Sequence, residues 1–148
     1  MNYAQELPLF VYGTLRLGSR NHGKIEPVVR SVDPAALPDH ALYMDQGPLV
    51  RPEAGRVVRG DVVSFCSEAY ASTMAGLDAF EGFDPADPGA SIYLRERVVV
   101  RTDAGDRVEA WCYFRGSRPI EGECLISGFE DGLIEDGDWL RLERAAAQ

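Results

Sequence analysis

The first apolar block, Leu7 to Tyr12, runs almost without interruption and stops at Gly13, the pattern of a short buried strand. From residue 18 to 40 the chain is polar and broken by Gly18, Gly23, Pro27, Pro34 and Pro38, which predicts a loop with at most one short helix. Ala41 to Met44 suits a brief strand before a turn at Gly47-Pro48, and Arg56 to Cys66 is strand-like. Gly60 within that run marks a bulge or a close backbone approach. Tyr70, Met74 and Leu77 then recur at helical spacing. They predict a helix from an N-cap at Ser67 to about Glu81, with Gly82 as its left-handed stop. After a Pro- and Gly-rich stretch, Ile92 to Arg101 alternates, Asp103 to Asp106 forms a hairpin turn, and Val108 to Phe114 returns as the partner strand. Strands joined by turns around one substantial helix predict an α+β fold: a small, mainly antiparallel sheet or partly closed barrel with one or two flanking helices. A length of 148 residues suits a single domain over 1–148, with 141–148 as a frayed tail.

One position breaks the amphipathic pattern. At 100° per residue, Glu81 falls within about 60° of Tyr70, Met74 and Leu77, so an acid lies at the end of the stripe that faces the core. It also sits in the last helical turn, where the negative end of the dipole disfavours an anion. Desolvation and dipole both raise a carboxyl pKa, and a carboxyl titrating near neutrality can take and return a proton. Two bland alternatives stand beside this one. The helix ends a turn early, at Leu77 or Asp78, and leaves Glu81 exposed, or Glu81 pairs with Arg95 or Arg97 of the next strand. The second candidate is Tyr12-Gly13-Thr14-Leu15-Arg16. A buried strand ending in Gly-Thr can present successive amides as a concave nest for a carboxylate or an oxyanion, with the Thr14 hydroxyl as a further donor; the alternative is an ordinary strand-ending turn. Gly137-Asp138-Trp139-Leu140 reads as a turn followed by a core-docking Trp.

Composition removes several functions. An apolar share of 45 % excludes intrinsic disorder, and 15 basic against 24 acidic residues give a net charge of −9 with no basic patch for nucleic acid. Lys24 is the only lysine and lies in a polar segment, which excludes a Schiff-base mechanism. The acidic residues concentrated in 118–148 read as a solvated face. Cys66, Cys112 and Cys124 lack paired metal-ligand spacing, and His22 and His40 have no sequence-local partner; no metal or cofactor is implied. No segment approaches a membrane span and the N-terminus shows no targeting pattern, so the chain reads as cytoplasmic, without nucleic-acid or membrane partners; its oligomeric state is not legible.

Several segments, taken in order, resemble the gamma-glutamylcyclotransferase-like family. They are VYGTLR (11–16), Arg20-Asn21-His22, Gly47-Pro48-Leu49-Val50, Val58 to Val62, LDAFEGF (77–83), YLRERVVV (93–100), Ala110 to Tyr113 and GDW (137–139). The branch that acts on gamma-glutamylamines is the one most resembled. The resemblance implies a small mixed β-barrel with a cavity at one side. It also implies substrate held by the backbone amides of Tyr12, Gly13, Thr14 and Leu15, and Glu81 as the acid–base residue. The implied reaction is cyclisation of an L-gamma-glutamyl amide to 5-oxoproline with release of an amine, without cofactor. Tyr93 and Tyr113, on adjacent strands, are candidate cavity-lining residues; a buried tyrosine with a bonded hydroxyl is the alternative. Hydrolysis of the same bond, a non-catalytic binder on the same fold, and an interaction module using the acidic end are the rival readings. The net charge favours a cationic leaving amine.

Overall fold

A computed structural model describes residues 6–44, 48–84, 86–87, 92–115 and 132–146. Six strands, β1 (Leu9–Val11), β2 (Val29–Met44), β3 (Pro48–Phe65), β4 (Tyr93–Thr102), β5 (Arg107–Arg115) and β6 (Leu133–Ile134), accompany two helices, α1 (Ser67–Phe80) and α2 (Trp139–Ala146). The strand order is β3-β1-β5-β4-β2-β6, and β2 also pairs with β3. That last pairing closes five strands into a mixed barrel and leaves β6 as an appendage. Among the described residues all ladders are antiparallel except β1 with β5, where Leu9 pairs with Trp111.

Alternation along β1 divides the interior. Phe10 joins Leu37, Val58, Val62, Val100 and Cys112 in one core cluster, while Leu9 and Val11 join Tyr70, Met74 and Leu77 of α1 in another. The helix thus docks on the sheet through the apolar stripe read from the sequence. Gly60 permits a close approach: a Cβ there would lie 2.3 Å from the Val11 carbonyl and 2.5 Å from the Phe10 ring.

Three expectations change. Residues 29–40 form strand, joined with 41–44 into the long β2, and only 22–24 and 26–28 form short 3-10 turns. Pro34 and Pro38 occupy exposed, outward positions flanking buried Ala35 and Leu37, and the Pro34 carbonyl still accepts the Asp103 amide at 2.9 Å. Asp39 relieves the second proline by a register shift, adopting φ 57° while its carboxylate accepts the Gly55 amide. At the start of α1 the cap residue is Cys66; Ser67 is already helical and its hydroxyl donates to Glu6. Residues 141–146 continue α2, with Trp139 buried, Leu142 packed on the same core and Glu143 accepting hydrogen bonds; 147–148 lie outside the described residues. The expected turn at Gly47 and the thiol of Cys124 also lie outside them.

Candidate active site

The end of α1 is set by Gly82. It adopts φ 70°, its amide bonds the Ala79 carbonyl, and the Phe83 amide bonds the Asp78 carbonyl, so Glu81 becomes the last residue before a left-handed stop. The helix therefore does not end early, and Glu81 sits on the wall of a cavity of about 210 Å³. That cavity is also lined by Tyr12, Gly13, Thr14, Leu15, Tyr93 and Tyr113, so the structure gathers all seven residues singled out in the sequence. Phe10, Val11, Arg20, Asn21, Pro48 and Phe80 complete it.

Among the described residues Glu81 has no arginine partner. Arg95 instead grips Asp78, with Nε 2.8 Å from Oδ1 and Nη2 3.1 Å from Oδ2, and Arg97 lies 3.7 Å from Glu109. Among the described residues the Glu81 carboxyl meets neither a hydrogen-bond donor nor a cation. Burial pushes its pKa up from 4.5 to about 7, with no counter-charge opposing the shift.

The cavity is also lined by a loop held by its neighbours. The Asn21 amide donates to the Thr14 carbonyl and its side-chain nitrogen to Thr14 Oγ1, both at 2.9 Å; His22 Nδ1 donates to the Leu15 carbonyl, also at 2.9 Å. Buried Arg16 bonds Asp138 at the start of α2 and approaches buried Asp61, which in turn accepts the Leu17 amide. The Gly13, Thr14 and Leu15 amides themselves meet no acceptor among the described residues. Three consecutive donors on a braced loop suit an anionic oxygen. Gly13 is required for packing as well: a Cβ there would lie 2.5 Å from Pro48.

The tyrosines have bonded hydroxyls. Tyr12 donates to the Tyr113 carbonyl at 2.6 Å, Tyr113 to Asp78 at 2.6 Å, and Tyr93 to the Pro48 carbonyl at 3.3 Å. Burial pushes the Tyr12 and Tyr113 phenols well above their ordinary range. Sequence reasoning missed Asp78 as a partner for Arg95, because nothing local distinguishes it from Glu81. It also gave no role to Arg20, Asn21 or Phe80, although the first two belong to a quoted polar segment. Phe80 is half-exposed at the cavity, with the Lys24 ammonium 5.3 Å above its ring.

Among the described residues no group of three or more His, Cys, Asp or Glu is placed to hold a metal, and no helix is long and apolar enough to cross a membrane. Cys112 is buried in the core and burial raises its thiol pKa, so it is no nucleophile.

Residues 9–141 match the family described as gamma-glutamyl cyclotransferase, AIG2-like. The chain is 29% identical over 136 residues to a Methanocaldococcus jannaschii protein provisionally assigned as a gamma-glutamylcyclotransferase, covering 88% of this chain and 93% of that one. Among solved structures it is similar to an uncharacterized protein of Pyrococcus horikoshii (22% identity, 95% of this chain, 97% of the other, TM-score 0.56). It is also similar to YkqA of Bacillus subtilis (24% identity, 95% of this chain, TM-score 0.62), of which it spans 42%. These two structural likenesses establish the fold.

Proposed function

Because the chain belongs to the gamma-glutamyl cyclotransferase, AIG2-like family, we propose that its cavity converts an L-gamma-glutamyl amide to 5-oxoproline and a free amine. The observation that carries this reading is Glu81: a carboxyl that burial pushes up to about 7, without a partner among the described residues, in a cavity also lined by Gly13, Thr14 and Leu15 with their unbonded amides.

The substrate brings its own nucleophile. Glu81 removes a proton from the α-ammonium; the freed amine attacks the γ-carbonyl carbon, a five-membered ring closes, and the tetrahedral oxygen gains the charge. Collapse re-forms the carbonyl and breaks the original amide C–N bond while Glu81 returns its proton to the departing nitrogen; the second proton of the attacking nitrogen passes to the carboxylate so freed and on to the released amine, leaving a neutral lactam and an ammonium product. A group with pKa near the working pH suits both transfers. The Gly13–Leu15 amides hold an anionic oxygen of the substrate, its α-carboxylate or the tetrahedral oxyanion, and folding the glutamyl chain for attack supplies a large effective molarity. Arg20 has no ion pair among the described residues and lines the same cavity, so a leaving amine that bears a carboxylate gains a contact there. This local cation opposes the preference drawn from net charge.

The test is product analysis over a panel of gamma-glutamyl amides. The wild-type protein is expected to release 5-oxoproline, and Glu81→Gln to lose about a thousandfold or more in kcat. Release of free glutamate instead would identify a hydrolase, and binding without any product a non-catalytic member of the family.

A further inference from the structure

Glu81 and the amide loop belong to distant stretches of chain, α1 and the end of β1, yet proton transfer needs them in fixed register. One residue is bonded to both. Tyr113 on β5 accepts the Tyr12 hydroxyl at its main-chain carbonyl and donates its own hydroxyl to Asp78, each at 2.6 Å. Asp78 lies one helical turn before Glu81 and is gripped from behind by Arg95. Arg95 stacks on Trp111 at 4.4 Å, and the Trp111 indole donates to Tyr70 at the other end of the buried stripe. The helix is thus pinned to β5 at two turns, and the strand end to β5 at one.

We propose that the Tyr12–Tyr113–Asp78 chain is a positioning device that fixes Glu81 against the amide loop and keeps its carboxyl sheltered from water. Asp78 and the Tyr113 hydroxyl act through Glu81, as positioning groups. The effect on turnover rests on the cyclotransferase reading; the effect on Glu81 itself does not. An unpinned α1 C-terminus lets water reach the carboxyl, and hydration moves a desolvated acid back toward its ordinary pKa. Among the described residues the ionisable groups around Glu81 are Arg20 from the loop, Tyr12 just after β1, Tyr93 from β4, and Cys112 and Tyr113 from β5, with the Asp78–Arg95 pair behind Tyr113. Burial pushes Tyr12, Cys112 and Tyr113 further from neutrality, so these three do not compete with Glu81 in the acid range.

Tyr113→Phe is the discriminating variant, because it keeps the ring and the carbonyl that accepts Tyr12 and deletes only the bond to Asp78. Carbon NMR of the full chain, labelled at glutamate side chains, reads the Glu81 midpoint without substrate; melting temperature, kcat and KM are measured alongside. The midpoint is expected to fall from about 7 by about one unit or more. At saturating substrate kcat is expected to drop about tenfold, with KM changed by less than about threefold. Tyr12→Phe, which cuts the other end of the chain, is expected to shift the midpoint the same way, and it carries the test should Tyr113→Phe not fold. A lower melting temperature with the midpoint and kcat of both variants at wild-type values overturns the proposal. A shifted midpoint in a protein that forms no 5-oxoproline leaves the positioning device standing and removes the cyclotransferase reading.

Discussion

Asp78 and Glu81 are carboxylates one turn apart on the same helix, both taken out of bulk water, with opposite surroundings. Asp78 receives two bonds from Arg95 and one from Tyr113. Glu81 receives none among the described residues and faces a cavity. Burial alone therefore does not make a carboxyl reactive. Where donors converge, it becomes a structural anchor; where they are withheld, its proton stays exchangeable near neutral pH.

Several variants break or sharpen that contrast. The largest stability effect belongs to Asp78→Ala, which leaves part-buried Arg95 without its counter-ion and the buried Tyr113 hydroxyl without its acceptor. Chemical denaturation is expected to show a loss of about 3–5 kcal/mol. Glu81→Gln is expected to act in the other direction. The folded-state pKa of Glu81, about 7, exceeds its ordinary 4.5, so the folded protein binds that proton more tightly than the unfolded chain does. Its contribution is fully present below pH 4.5 and lost as pH rises through about 7. Removing the carboxyl should raise stability at pH 8 by about 2–3 kcal/mol and change it little at pH 4, as read from paired unfolding curves. Gly13→Ala drives a methyl into the adjoining Pro48 ring, with an expected cost of about 1–3 kcal/mol. The smallest effect is reserved for Arg20→Ala. If Glu81 truly lacks a cationic partner, its NMR midpoint should move by less than about 0.3 unit; a rise of a full unit would show a hidden ion pair.

The legible part of the site was the part encoded locally. Tyr70, Met74, Leu77 and Glu81 share a helical face by spacing alone, and Gly82 announces where the face ends, so α1 and the inward acid follow from a short stretch of sequence. Gly13 after an apolar run likewise marks the loop. The partner of Arg95 was illegible, because Asp78 and Glu81 are equally near in sequence and only the β5 side chain of Tyr113 separates their environments. Strand β2 was hidden for a different reason. Pro34 and Pro38 look like breakers, yet both point outward while Ala35 and Leu37 fill the barrel, and the register shift at Asp39 absorbs the misfit. The pairing of β1 with β5 joins residues about a hundred positions apart, beyond any periodicity argument.

That parallel pairing also has a kinetic consequence. Strand β1 spans three residues between β3 and β5, so its full set of partners is in place only once β5 has joined the sheet. Closing so long a loop is entropically slow, whereas the β2–β3 hairpin and α1 condense from neighbouring sequence. The amide loop directly follows β1, so its assembly is expected late in refolding, after most secondary structure has returned, and comparing the recovery of far-UV circular dichroism with that of activity checks the order.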